Sequence, residues 1–309
     1  MARRRRAATR SGFSGIYPML YAFYDRDERL DRKAVVRQTK ALIDAGVHGI
    51  AVLGVATEVN RMSLPERLQL MAWVAEAVDG RVPLCVTVGE PSVPGQIAFV
   101  RAAKTAGADW CILQTPPVRG ASESSVVRFF GAVADKSTLP IGMQIAPEYL
   151  GLDMSSASLK TIARNHANMT LLKVELQPLA AARLVEETEG RFDIFNGRAG
   201  QEMTYNLEAG CVGIIPGAET GDVTARIYDL WVSRKSANKA EAERLYRDIA
   251  PLLTFFEHSM DHLLVHGKRL MAQRLGLDAR RALPRRPYAP AHPYGLALTE
   301  RLAAGLGKL

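Results

Sequence analysis

The segment Thr170-Leu-Leu-Lys173-Val-Glu175-Leu176 sets a lysine in the middle of an apolar run, with a glutamate two residues further on. An ammonium buried in such a run costs several kcal/mol unless it is paired or neutralised. Side chains alternate along a strand, so Lys173 and Glu175 share a face. A desolvated lysine has a lowered pKa and can attack a ketone as a free amine. The carboxylate beside it could then move a proton. The sequence leaves a second reading open, in which the two side chains only neutralise each other or both face covering helices.

The elements that must position this pair are short and repetitive. Apolar, β-branched runs at 16–23, 49–54, 84–88, 110–114, 141–145, 171–176, 192–195 and 212–215 read as strands. They are too uniformly apolar for a half-exposed sheet and suit parallel strands covered by helices. Helical patterns lie between them, at 32–45, 65–78, 94–106, 122–135, 156–165, 178–187 and 199–209. Ala45-Gly46, Ala106-Gly107 and Ala209-Gly210 each end a helical stretch before a strand, where glycine can take the left-handed conformation that stops a helix. Eight βα repeats with no spare segment predict a closed (β/α)8 TIM barrel rather than an open doubly wound sheet. Lys173 then lies on the sixth strand, with Glu175 nearer the C-terminal mouth where sites of this fold are built.

Three segments are expected: a basic disordered tail at 1–11, the barrel at 12–222, and a C-terminal helical region at 223–309. The last carries helical patterns at 223–232, 238–256 and 260–275, a proline-rich stretch at 284–293 and a final short helix. The formal charge of +8 comes partly from five arginines in the first ten residues. No hydrophobic segment follows that tail, and no apolar run reaches the roughly 18–20 residues of a membrane span. A nucleic-acid surface would interleave aromatics with its basic residues, and none does, whereas a basic balance suits a small anionic substrate. Cys85, Cys111 and Cys211 are widely spaced and unpaired in pattern, which predicts reduced core residues of a cytoplasmic protein.

Ordered motifs carry a resemblance along most of the chain. They are Gly15-Ile-Tyr-Pro18, Gly54-Val-Ala-Thr-Glu58 with Ser63-Leu-Pro-Glu-Arg67, Ala106-Gly-Ala-Asp109, the run from Leu139 to Pro147, and the Lys173 strand, with Lys268 and Arg286-Pro287 fitting near the end. Together they resemble the dihydrodipicolinate synthase / N-acetylneuraminate lyase superfamily. The resemblance implies a (β/α)8 barrel with a C-terminal helical region, a homotetramer, a 2-oxo acid substrate and a Schiff-base lysine at Lys173. The imine is formed by the protein itself, so no cofactor and no metal are expected.

Departures from the pattern narrow the expectation. The members that make dihydrodipicolinate or cleave sialic acid carry two hydroxyl residues where this chain has Val55 and Ala56, which have no side-chain donor. Their fifth-strand tyrosine is replaced by Gln144, their tyrosine pair after the fourth strand by Pro117 and Val118, and an arginine after the fifth strand falls on Tyr149. Glutamine has no usable titration and cannot relay a proton as a phenol does. One branch, the 2-keto-3-deoxy-pentonate (L-2-keto-3-deoxyarabonate) dehydratases, shares a Gln-x-Ala-Pro end to strand five, a Lys-x-Glu strand six, a Gly-Ala pair like Gly120-Ala121 and an aromatic-x-Gly motif like Phe195-Asn-Gly197. The expected function is therefore dehydration of a 2-keto-3-deoxy acid, with Lys173 as imine lysine and Glu175 as proton handler. Gln144 would bind substrate or orient Glu175. A pyruvate-dependent aldolase or synthase is the alternative within enzymes, and a non-catalytic sugar-acid-binding barrel the alternative outside them.

Around these three, Val55, Ala56, Thr57, Asn196, Arg198 and Ile214 are expected to bind substrate, Thr57 or the loop's backbone N–H groups standing in for the missing hydroxyls. Glu58 and Glu90 follow strands two and three and could reach the mouth, or could serve as ordinary loop carboxylates. His258, His262 and His266 recur every four residues, a spacing able to hold a metal, but they are expected far from the mouth and without a carboxylate partner.

Overall fold

Eight parallel strands pair in the order β1-β8-β7-β6-β5-β4-β3-β2 in a computed structural model that describes residues 9–116, 120–146, 153–233 and 235–309. The strands are β1 (Gly15–Ile16), β2 (Ile50–Val52), β3 (Leu84–Val88), β4 (Trp110–Leu113), β5 (Ile141–Ile145), β6 (Met169–Val174), β7 (Asp193–Asn196) and β8 (Gly213–Ile214). Met19 bridges both Ala51 and Gly217, which joins the two ends of the sheet into a closed barrel. The expected strand at 16–23 is shorter than its apolar composition suggests. Pro18 has no N–H for the ladder, so regular pairing stops at Ile16 and resumes only as the single bridges of Met19.

Helices α1 (Arg32–Asp44), α2 (Leu64–Val78), α3 (Val93–Ala106), α4 (Glu123–Ala134), α5 (Ser156–Asn165), α6 (Pro178–Glu187), α7 (Met203–Ala209) and α8 (Gly221–Val232) each follow the strand of the same number. Their starts are fixed locally: the Asp31, Ser63, Ser92, Ser122 and Ser155 side chains each accept an N–H of the first turn. Gly46, Gly107 and Gly210 all take positive φ, as the repeated Ala-Gly pairs predict. The helix expected from 199 begins at Met203, because Arg198 and Ala199 adopt φ of 51° and 49°.

The lumen below the mouth is plugged by aromatic rings. Tyr17, Trp110 and Phe195 come from three separate strand positions, and their centroids lie 5.2–5.7 Å apart. Only side chains pointing into the barrel can meet in this way, and such pairs add about 0.5–1.5 kcal/mol each beyond their burial. Gly49 leaves the room they need, since a Cβ there would stand 2.1 Å from the Tyr17 ring. Lys173 is in register with Phe195 on β7 and with Gln144 on β5, so all three share the lumen face.

The remaining chain forms α9 (Ser236–Glu257), α10 (Met260–His262), a π-helical turn at Leu263–Gly267, α11 (Lys268–Arg274) and α12 (Pro293–Leu302). A single core runs from Ile16 to Ala303 and includes Leu252, Phe256 and Met271 of these helices. Residues 1–8 of the expected tail lie outside the described residues. Ser11, also expected in it, is fixed: its N–H and hydroxyl both donate to Asp193 Oδ2 at 2.6 Å. All three cysteines are free and buried. Among the described residues no helix is long and apolar enough to cross a membrane.

Candidate active site

A cavity of about 200 Å3 opens at the C-terminal end of the strands. It is smaller than the roughly 300 Å3 and upward of pockets that hold drug-sized ligands. Lys173, Glu175 and Gln144 form its floor, Val55, Ala56 and Asn60 one side, and Arg198 and Ala199 the other. Ile215, Pro216, Gly217 and Met19 close the wall between them, and Glu257, Met260 and Leu263 form the roof.

Lys173 and Glu175 meet as alternation requires. The Lys173 ammonium donates to Glu175 Oε1, and both side chains are largely buried, at 9% and 11% exposure. The other carboxylate oxygen accepts the backbone N–H of Arg198. That N–H is aimed by two consecutive non-glycine residues in the left-handed region, Arg198 and Ala199, each costing of order 1–3 kcal/mol. The strain sits where the loop after β7 turns back over Glu175. Gly197 is required at the same turn, because a Cβ there would stand 2.3 Å from the carboxylate. Gln144 Oε1 accepts from Gln114 Nε2 at 2.8 Å, so its orienting partner is Gln114, while Glu175 is held by Lys173 and the Arg198 amide.

The loop after β2 is built from backbone. Val55–Thr57 forms a 3-10 turn, entered from Leu53 at φ 65°. Thr57 holds that strained entry: its hydroxyl donates to Leu20 O at 2.6 Å and accepts from Leu53 N–H at 3.1 Å. It is fully buried and does not line the cavity, so the expected carboxylate-binding role does not fit Thr57. Val55 and Ala56 do line it.

Two further expectations are corrected by the geometry. Asn196 is fully buried, and both ends of its amide are engaged by Leu176, accepting from its N–H at 3.2 Å and donating to its carbonyl at 2.7 Å. It staples β6 to β7 and does not face substrate. Ile214 follows the lumen-facing Gly213, whose Cβ would meet the Phe195 ring, so alternation turns Ile214 outward and Ile215 lines the cavity. Arg198 is where expected, lining the cavity, with Nε donating to Glu202 at 3.0 Å.

Glu58 and Glu90 take their structural roles. Glu90 accepts from Arg67 at 2.6 Å. Glu58 is buried and pairs with Lys268 at 2.6 Å, both side chains at 0% exposure. Burial lowers the Lys268 pKa to about 8, with Glu58 opposing the shift. Lys268 Nζ also donates to Leu283 O at 2.9 Å, which ties α11 and the segment after it to the β2 loop. The positions of Pro117, Val118 and Tyr149 lie outside the described residues.

The histidine row is nearer the mouth than expected. His258, His262 and His266 lie in a row with tilted rings, their centroids 5.0 and 5.6 Å apart, on the same stretch of chain that sends Glu257, Met260 and Leu263 into the cavity. Among the described residues no cluster of His, Cys, Asp or Glu is suited to a metal ion. Sequence reasoning missed Met19, Asn60, Ala199, the wall at Ile215, Pro216 and Gly217, and the three roof residues. Asn60 was open to discovery, two residues past Glu58 on a mouth loop. Nothing in the amphipathic pattern of α9 shows that its last turn crosses the barrel.

Comparison with known proteins agrees with this architecture. The 4-hydroxy-tetrahydrodipicolinate synthase of Methanoculleus marisnigri is 27% identical over 245 residues, covering 78% of this chain and 83% of that protein. The probable 2-dehydro-3-deoxy-D-pentonate aldolase YjhH of Escherichia coli K12 is 25% identical over 260 residues, covering 80% and 86%. Among solved structures, the 4-hydroxy-tetrahydrodipicolinate synthase of Methylacidiphilum fumariolicum SolV shares the fold with a TM-score of 0.85 at 24% identity, over 94% of this chain and 95% of that one. Residues 12–300 match the Dihydrodipicolinate synthetase family, and the chain therefore belongs to that family of lyases.

Proposed function

We propose that the protein dehydrates a 2-keto-3-deoxy sugar acid, a pentonate by preference, through an imine on Lys173. The observation that carries this reading is the pairing of Lys173 with Glu175 on the cavity floor, with Gln144 in register beside them. The Lys173 amine adds to the C2 ketone and water leaves, forming the imine. The C3 proton is then acidic, and Glu175, 2 residues along the same face, takes it to give an enamine. The enamine expels the C4 hydroxyl, which leaves as water with a proton returned by Glu175. Tautomerisation and hydrolysis release the semialdehyde and the free lysine. The substrate carboxylate would be held by the backbone of the Val55–Thr57 turn, since Val55 and Ala56 line the cavity without side-chain donors. No cofactor enters this scheme, and the protein acts in the cytoplasm as a homotetramer.

Retro-aldol cleavage is the second reading, favoured by the similarity to YjhH, a probable 2-dehydro-3-deoxy-D-pentonate aldolase. It needs a base at the C4 hydroxyl, which a tyrosine supplies and Gln144 does not. One experiment tests both readings. The protein is incubated with pyruvate, 2-keto-3-deoxyarabonate or 2-keto-3-deoxygluconate and borohydride, and the adduct is sought on Lys173 by mass spectrometry. Substitution Lys173→Arg is expected to abolish the adduct and to lower turnover by at least about a thousandfold. A semialdehyde from the pentonate or a 2,5-diketo acid from the gluconate supports dehydration, and pyruvate supports cleavage. No adduct with any of the three compounds would overturn the imine.

A further inference from the structure

The roof of the cavity carries a charge pair that the scheme above does not use. Glu257 ends α9, and its side chain is only 7% exposed. It faces Arg198 Nη1 at 3.9 Å, while Arg198 Nε is tied to Glu202 at 3.0 Å. The rest of the wall near it, Met260, Leu263, Ile215 and Pro216, is apolar. The charged groups of the cavity therefore fall in two places: the Lys173–Glu175 floor, and the edge where the Arg198 side meets Glu257 of the roof.

We infer that Arg198 and Glu257 together select the far end of the substrate, and that they select an uncharged hydroxyl there. This rests on the proposed binding of a 2-oxo acid at Lys173. A hydroxyl oxygen can accept from a guanidinium and donate to a carboxylate at the same time. A gap of 3.9 Å between Nη1 and Oε1 lets one oxygen reach both. A second carboxylate at that end of the substrate would find Arg198 attractive but would lie against Glu257, and two like charges so close in a water-poor cavity repel strongly. Glu257 thus acts as a specificity residue: it keeps Arg198 from accepting dicarboxylates. Arg198 alone would favour them.

Two substrates that differ only at this end test the inference. The C5 alcohol of 2-keto-3-deoxy-pentonate becomes a carboxylate in 4-hydroxy-2-oxoglutarate. The wild-type protein is expected to favour the alcohol in kcat/KM. Glu257→Gln is expected to shift the ratio toward the diacid by about tenfold or more, the scale of one hydrogen bond to a charged group. Glu257→Asp, which keeps the charge, is expected to hold the wild-type preference to within a few fold. Borohydride trapping of pyruvate, which has no far end, should proceed in all three proteins. An unchanged substrate ratio in Glu257→Gln would overturn the inference, as would loss of the pyruvate adduct in that variant, which would mark a purely structural residue. Failure of the wild-type protein to trap any of these compounds would instead sink the imine reading itself, and is seen before any variant is made.

Discussion

Glu175 is held by the Lys173 ammonium and the Arg198 amide, in space that Gly197 leaves open by having no Cβ. On the proposed mechanism Glu175 takes a proton from one carbon and cannot wander, and a misplacement of about 1 Å can cost a hundredfold in rate. Gly197→Ala is therefore expected to lower kcat by about a hundredfold while the protein still folds. Turnover compared with the thermal unfolding midpoint checks it, and a near-normal kcat would show that Glu175 is not the proton handler. The pairing of Lys173 with Glu175 was legible from sequence because it needs only alternation along one strand. The roles of Thr57 and Asn196 were not. Each residue's polar atoms are taken up by backbone groups of another element, Leu20 for Thr57 and Leu176 for Asn196, and no local pattern announces a partner that distant. Ile214 and Ile215 could not be told apart because β8 is apolar on both faces and carries no alternation to read.

The helical segment that roofs the cavity has its own electrostatics. Burial lowers the His266 pKa, and neighbouring His262 and Arg269 lower it further. His262 is likewise lowered by burial and by His258, with Asp261 opposing. In the unfolded chain both imidazoles return to about 6.5. As pH falls through that value the unfolded chain binds protons before the folded one does, so stability is full above it and declines below it. The unfolding midpoint is expected to drop between about pH 7 and about pH 5. The double variant His262→Gln/His266→Gln should flatten that part of the curve, and an unchanged slope would assign the loss to other groups. Three histidines at helical spacing were visible in the sequence, but their setting was not. The chain crosses the mouth from Glu257 to Leu263 and leaves it through the π-helical turn at Leu263–Gly267, and an extra residue in one turn leaves no mark in periodicity. The strands of the barrel are a different case. β3 begins and ends where its apolar run does, because every residue in it is buried while Pro83 and Gly89 on either side are not.

At the scale of the whole molecule, the roof can act on substrate only if the C-terminal helices keep their place on the barrel. Arg274 is the chief fastener. Its side chain is 3% exposed and grips Asp222 of α8 through two bonds of 2.6 and 2.8 Å. It also donates to Glu219 O at 2.6 Å, just past β8, and to Gly307 O at 2.7 Å in the last turn of chain. One guanidinium thus joins the barrel's last helix, the loop behind the cavity wall and the C-terminus. Planar bidentate geometry is what an arginine supplies and a lysine does not. Arg274→Met leaves Asp222 and two carbonyls without their donor, and is expected to destabilise the protein by about 3 kcal/mol. Asp222→Asn/Arg274→Met should be less unstable than the two single losses sum to, with a coupling of about 1 kcal/mol or more. Because the fastener lies away from Lys173, the Arg274→Met protein that remains folded should still trap pyruvate, yet show a raised KM for a hydroxylated substrate that needs the roof. Denaturant unfolding and steady-state kinetics on the same preparations measure both effects. Additive single losses, or a KM that does not move, would mean that the barrel and its helical roof are held together elsewhere.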